Sequence, residues 1–147
     1  MKAAEDVATA KPIRIGELAR MTGCSVPAIR YYEEVGLIPH ASRRRSGHRA
    51  FAPAAVQQLS FVRRCRDLGF TVEQTRALLA LGDAKERDCV EAREIAQAHL
   101  KAVRSKMIEL MALERTLGRF VQECTSSCAG GPAPECTILK ELGTRCG

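Results

Sequence analysis

Residues 15–36 read IGELARMTGCSVPAIRYYEEVG, and this stretch decides the fold. Ile15, Leu18, Ala19 and Met21 recur near helical spacing. Thr22-Gly23-Cys24-Ser25 then interrupts the pattern: Gly23 suits a turn, and Ser25 is a helix cap. Pro27 falls in the first turn of a second helix, where a missing N–H costs little. That helix, VPAIRYYEEV, stops at Gly36. Two short helices about a glycine-containing turn form a helix-turn-helix.

Working outward, residues 37–51 read LIPHASRRRSGHRAF. Pro39, Ser46 and Gly47 break helix, and Arg43, Arg44, Arg45 and Arg49 crowd the stretch, as in a short hairpin or wing. Pro53 opens a helix that turns Val56, Leu59, Phe61-Val62 and Cys65 toward a core and ends at Gly69. Thr71 caps another helix, ended by Gly82. Cys65 reads as a small apolar core residue, and Cys24 as structural. Residues 1–12 read as a disordered lead-in.

The chain has 147 residues, enough for one or two small domains. Aromatics make up 4% and Trp is absent, so the core must be aliphatic and the fold mostly helical. No apolar run is long enough to span a membrane, and the first residues lack the apolar region of a signal peptide. The expected location is the cytoplasm, where thiols stay reduced. Residues 1–82 hold 13 basic and 7 acidic residues, whereas residues 83–147 hold 10 of each. The whole positive excess of +6 therefore lies in the N-terminal half, which points to nucleic acid as its partner. The alternative is a basic surface with no partner.

From Gly82-Asp83 the chain runs to Gly118 without Pro or Gly. Alternating steps of four and three give Ala96, Leu100, Val103, Met107, Leu110, Glu114, Leu117 and Val121, a coiled-coil seam broken once, at Glu114. A narrow apolar stripe on a long helix needs a partner, and a second copy of the chain is the economical one. His99 lies beside the seam and reads as a helix residue at that interface rather than a ligand.

Cys24, Cys65, Cys89, Cys124, Cys128, Cys136 and Cys146 make seven thiols, an odd number that argues against a closed disulfide framework. Three of them flank a loop rich in Ser, Gly and Pro near the end, which suggests a metal or redox centre. A frayed tail with incidental thiols is the alternative. Cys89 and Cys124 lie 35 positions apart, or about 50 Å along one helix, too far for a shared ion within one chain. In an antiparallel dimer, Cys89 of one subunit would meet Cys124 and Cys136 of the other. The seam by itself does not set that direction. Thiolates select soft or borderline ions such as Cu(I), Zn(II), Cd(II), Hg(II) and Pb(II). A permanently occupied structural zinc site would regulate nothing.

The segment IGELARMTGCSVPAIRYYEEVGLI followed by RRRSGHRAF resembles the MerR family of bacterial transcription regulators. The likeness runs over roughly residues 13–142. It rests on R-Y-Y-E-x-x-G-L and on a wing ending Gly47-His48-Arg49-Ala50-Phe51, with His48 where the family has Tyr. The resemblance implies a mostly α fold. A winged helix-turn-helix domain (residues 13–82; helix-turn-helix 16–35, wing 37–51) precedes an antiparallel coiled-coil dimerisation helix (83–123) and a cysteine-bearing metal-binding loop and tail (124–147). It implies a homodimer that holds promoter DNA repressed without metal. With metal, the dimer distorts the DNA so that RNA polymerase can use it, switching on metal resistance or efflux genes. Arg30, Tyr32, Arg43, His48 and Arg49 become the DNA contacts, with Arg44 beside them. Cys89, Cys124 and Cys136 become the metal ligands, with Cys128 a further candidate. Cys at position 89 resembles the family's divalent sensors, and Ser there its copper(I) sensors, so the implied effector is Hg, Pb, Cd or Zn.

Three other readings compete. One is a copper(I) regulator of the same family. Another is an iron–sulfur redox sensor, against which stands the spacing C-x3-C-x7-C-x9-C. The third, a thiol oxidoreductase, lacks a C-x-x-C motif, so no enzymatic activity is expected.

Overall fold

In the computed structural model, which describes residues 11–43, 47–84, 89–127 and 130–143, strand β1 (Ile13–Arg14) leads directly into α1 (Ile15–Thr22). Gly23 ends α1 in a left-handed conformation, φ 67°, and its N–H donates to the Ala19 carbonyl at 2.8 Å. Ser25 caps α2 (Val26–Glu34), accepting the Ala28 N–H at 3.2 Å, and Pro27 sits in the first turn. The helix-turn-helix read from the sequence is therefore present, cap by cap.

The wing consists of β2 (Ser42–Arg43) and β3 (Arg49–Phe51). β3 is the centre of a three-stranded antiparallel sheet, with β1 on its other side pairing Ile13 with Phe51. The sequence reading had no β1, because two residues are too few to show alternation. The sheet ties the start of α1 to the wing.

Helices α3 (Ala54–Asp67) and α4 (Val72–Asp83) follow. Thr71 begins α4 with a reciprocal capping box: its hydroxyl accepts the Gln74 N–H at 3.1 Å, and its own N–H donates to Gln74 Oε1 at 2.9 Å. Leu18, Ile29, Leu59 and Val62 are fully buried in one cluster with Ile13 and Phe51. Cys65 is buried beside Thr75, as expected of a core thiol.

The chain divides into two compact units, Met1–Ile95 and Ala96–Gly147. Helix α5 runs over Val90–Ser127, beginning and ending later than the span read from the sequence. It continues through Gly118, since one internal glycine costs a helix only about 1 kcal/mol. No described residue of α5 is buried within the single chain. A 3-10 turn at Ala133–Glu135 and helix α6 (Thr137–Gly143) follow. Among the described residues, no helix is long and apolar enough to cross a membrane.

Candidate DNA-binding face and thiol pair

Helical spacing places Ile29 and Glu33 on the same buried face of α2 and leaves Arg30, Tyr31 and Glu34 outside. A glutamate facing inward needs partners, and Glu33 has three. Its carboxylate accepts the Ala41 N–H at 3.0 Å and Arg49 Nη1 at 3.2 Å, and His40 Nδ1 lies 3.5 Å away. Glu33 thereby anchors both sides of the wing to α2. Arg49 is half-exposed and engaged in this ion pair. The sequence reading had missed Glu33; its signal was a carboxylate four residues after buried Ile29.

Tyr32 is half-buried against the core cluster, and its carbonyl accepts the Leu37 N–H at 2.8 Å, whereas Tyr31 is exposed. Arg30 is exposed on α2, and His48 is exposed beside Gly47. Arg14, Glu17, Arg30, His48 and Arg49 line one hollow between the start of α1 and the wing. Three arginines and one carboxylate give this hollow a positive balance, suited to a phosphate backbone. Arg43 lies in β2, paired with Arg49. The expectation at Arg44 falls outside the described residues.

Two long-range arginine contacts set the geometry of the helix-turn-helix. Arg63 of α3 donates from Nη1 to the Thr22 carbonyl at 2.7 Å, crossing the turn directly over Gly23. Arg76 of α4 donates to the Val35 carbonyl just past the end of α2. The cation meets the negative end of the helix dipole there.

In the second unit, Cys124 is half-buried in the last turn of α5, and Cys136 immediately precedes α6. Their thiols lie close enough for Cys124 to lower the pKa of Cys136. The Leu139 backbone N–H is the strongest influence holding the Cys136 thiol below its ordinary pKa. Desolvation opposes it, while the Ile138 N–H, Cys124 and the Lys140 charge lower the pKa further. A thiol stabilised as thiolate beside a second thiol is a start on a soft-metal site. It supplies only two donors. Among the described residues, no group of three or more His, Cys, Asp or Glu could hold an ion on one chain.

Cys89, the third ligand expected from the sequence, is exposed, immediately ahead of α5 and in the other unit. Cys128 and Cys146 lie outside the described residues. Cys24 packs against the core and Cys65 lies within it, consistent with structural roles.

Residues 13–81 match the family described as MerR HTH family regulatory protein, and residues 56–120 match the one described as MerR, DNA binding. The chain is 42% identical over 130 residues to the HTH-type transcriptional regulator HmrR of Rhizobium leguminosarum bv. viciae, covering 88% of this chain and 97% of that one. The transcription regulator PbrR691 of Ralstonia metallidurans CH34, solved in complex with lead(II), is 38% identical with a TM-score of 0.74, over 88% of this chain and 98% of that one. The dual function regulator MerR of Bacillus megaterium MB1, solved with mercury(II), is 31% identical with a TM-score of 0.62, over 89% and 99%.

Proposed function

The chain belongs to the MerR family of HTH regulatory proteins, and on that premise we propose that it is a cytoplasmic homodimeric transcription regulator of promoter DNA whose effector is a soft divalent metal ion. It is a DNA-binding regulator and not an enzyme. The observation that carries the metal reading is the Cys124–Cys136 pair, two thiols near enough for one to perturb the other. Soft ions favour such donors, and hard ions such as Mg(II) do not.

In this reading, residues 13–82 bind DNA, residues 83–123 dimerise and residues 124–147 sense metal. Arg30, Tyr32, Arg43, Arg44, His48 and Arg49 face DNA. Arg49 does so while paired with Glu33, so it positions the wing as well as contributing charge. Divalent ions usually need three or four donors, which two thiols cannot supply. Cys89 of the partner subunit is the third, and Cys128 a candidate fourth. A bound Hg(II), Pb(II), Cd(II) or Zn(II) ion would supply a closed thiolate link between the subunits. Tying Cys124 and Cys136 to the partner's Cys89 shifts the dimer between two states, which differ in how the two DNA-binding lobes are set. One state represses the promoter. The other distorts the DNA so that RNA polymerase can use it, turning on metal resistance or efflux genes.

Anaerobic titration of the reduced protein, followed by thiolate-to-metal absorption, tests this reading. One or two divalent ions should bind tightly per dimer, and Cys136→Ser and Cys89→Ser should each weaken binding by about tenfold or more. If Cu(I) binds tightly and Cys89→Ser leaves that binding unchanged, the effector is monovalent and Cys89 is not a ligand. Metal-dependent transcription from promoter DNA in the presence of RNA polymerase then separates a sensor from a fixed structural site.

A further inference from the structure

Glu114 occupies a position of the α5 seam that apolar residues hold elsewhere. Within its own chain it has no cation in helical reach, because residues three and four away are Leu110, Met111, Leu117 and Gly118. Arg104 is in the mirror situation, with Leu100, Lys101, Met107 and Ile108 at those spacings. Among the described residues, neither has an ion-pair partner. Other charges on the helix do pair locally: Lys106 with Glu109 at 2.8 Å, and Arg119 with Glu123 at 3.8 Å. Leu100, Met107, Leu110, Leu117 and Val121 around them are exposed, between 46% and 60%.

The seam reads the same in both directions. Laid antiparallel against a second copy, all eight positions find a seam partner in one register. Ala96 meets Val121, Leu100 meets Leu117, Val103 meets Glu114, and Met107 meets Leu110. Sliding by one heptad leaves seam residues unmatched. In this register Glu114 is level with Val103 of the partner subunit, and the next residue there is Arg104 of the partner subunit. Both lie on the same flank of the stripe: Arg104 follows an inner seam position, and Glu114 occupies the adjoining one. A parallel pairing in register would instead set Glu114 against its own copy, two like charges in an apolar seam.

We propose that Glu114 forms an intersubunit ion pair with Arg104 of the partner subunit, made twice by symmetry, and that this pair sets the direction and register of the dimer. The proposal rests on the homodimer reading above. A charge at one seam position lowers the stability of the helix pair but excludes alternatives that a wholly apolar seam would permit.

The test is a charge swap in the full-length protein, with the dimer dissociation constant measured by sedimentation at low and high salt. Glu114→Arg and Arg104→Glu should each weaken the dimer by about tenfold or more, because each sets like charges together. The double variant, Glu114→Arg with Arg104→Glu, should recover most of the loss. If the wild type dimerises and the double variant recovers nothing, the ion pair is wrong while the dimer stands. A wild type that is monomeric at micromolar concentration overturns the dimer itself. Hydrogen exchange of the α1, α2 and α3 amides in each variant, set against wild type, separates a lost interface from a lost fold.

Discussion

At Gly23 two constraints coincide, and substitution separates them. Its φ of 67° disfavours any side chain, and a Cβ would collide with the Arg63 guanidinium that donates to the Thr22 carbonyl. Gly36 has a similar φ of 72° but stands in open space. Gly36→Ala should therefore cost only the left-handed backbone term, about 1–2 kcal/mol. Gly23→Ala should cost about 1 kcal/mol more, for the displaced charged hydrogen bond. In an Arg63→Ala background the two costs should converge, as read from urea denaturation midpoints. A Gly23→Ala penalty that ignores Arg63 would mean the crossing guanidinium contributes nothing. Cys65 offers a second test at this scale. Burial pushes its thiol above the ordinary value, against the neighbouring Thr75 side chain, which lowers it. The unfolded chain then ionises first, so the contribution of Cys65 to stability is complete below the ordinary thiol pKa, roughly 8.5. It is lost as pH rises through that value toward the folded one. Cys65→Ala, though less stable at pH 7 for lack of packing, should show a shallower alkaline decline than wild type.

Among the elements, what the sequence disclosed was what neighbouring residues encode. Ser25 and Thr71 each begin a helix, and their hydroxyls accept the expected backbone N–H, because a cap acts over three residues. The Gly23 turn was legible for the same reason. What could not be read is what joins distant positions. The Glu33–Arg49 pair spans 16 residues, and the Arg63 and Arg76 contacts each span 41. Strand β1 has only two residues and exists because β3 offers it a free edge. The sequence puts the end of α5 at residue 123, since the Ser-, Gly- and Pro-rich stretch that follows reads as loop. Helix propensity differs too little among such residues to fix a terminus, and α5 runs on to Ser127. That shift matters for the site, because it puts Cys124 on a helix rather than in a loop and so fixes the direction of its side chain.

The whole molecule divides sharply in what holds each part together. The first unit has its own core, with Leu18, Ile29, Leu59 and Val62 fully buried. Helix α5 has 38 residues, and none of those described is buried by its own chain. Most helical stability in proteins comes from packing an apolar face, and a lone helix in water is marginal. On the homodimer reading proposed above, the stability of α5 comes largely from the second copy, and mass action makes that contribution depend on protein concentration. Hydrogen exchange at graded dilution should resolve the two parts. Amides of α1, α2 and α3 should keep constant protection across the series. Amides from Ala96 to Val121 should lose protection as the concentration falls through the dimer dissociation constant, by about tenfold for each hundredfold dilution where dissociation governs opening. Arg104→Glu should move the loss to higher concentration without touching the first unit. Protection of α5 that persists in a species shown by sedimentation to be monomeric would mean that the chain stabilises this helix alone. The exposed seam would then need an explanation other than dimerisation.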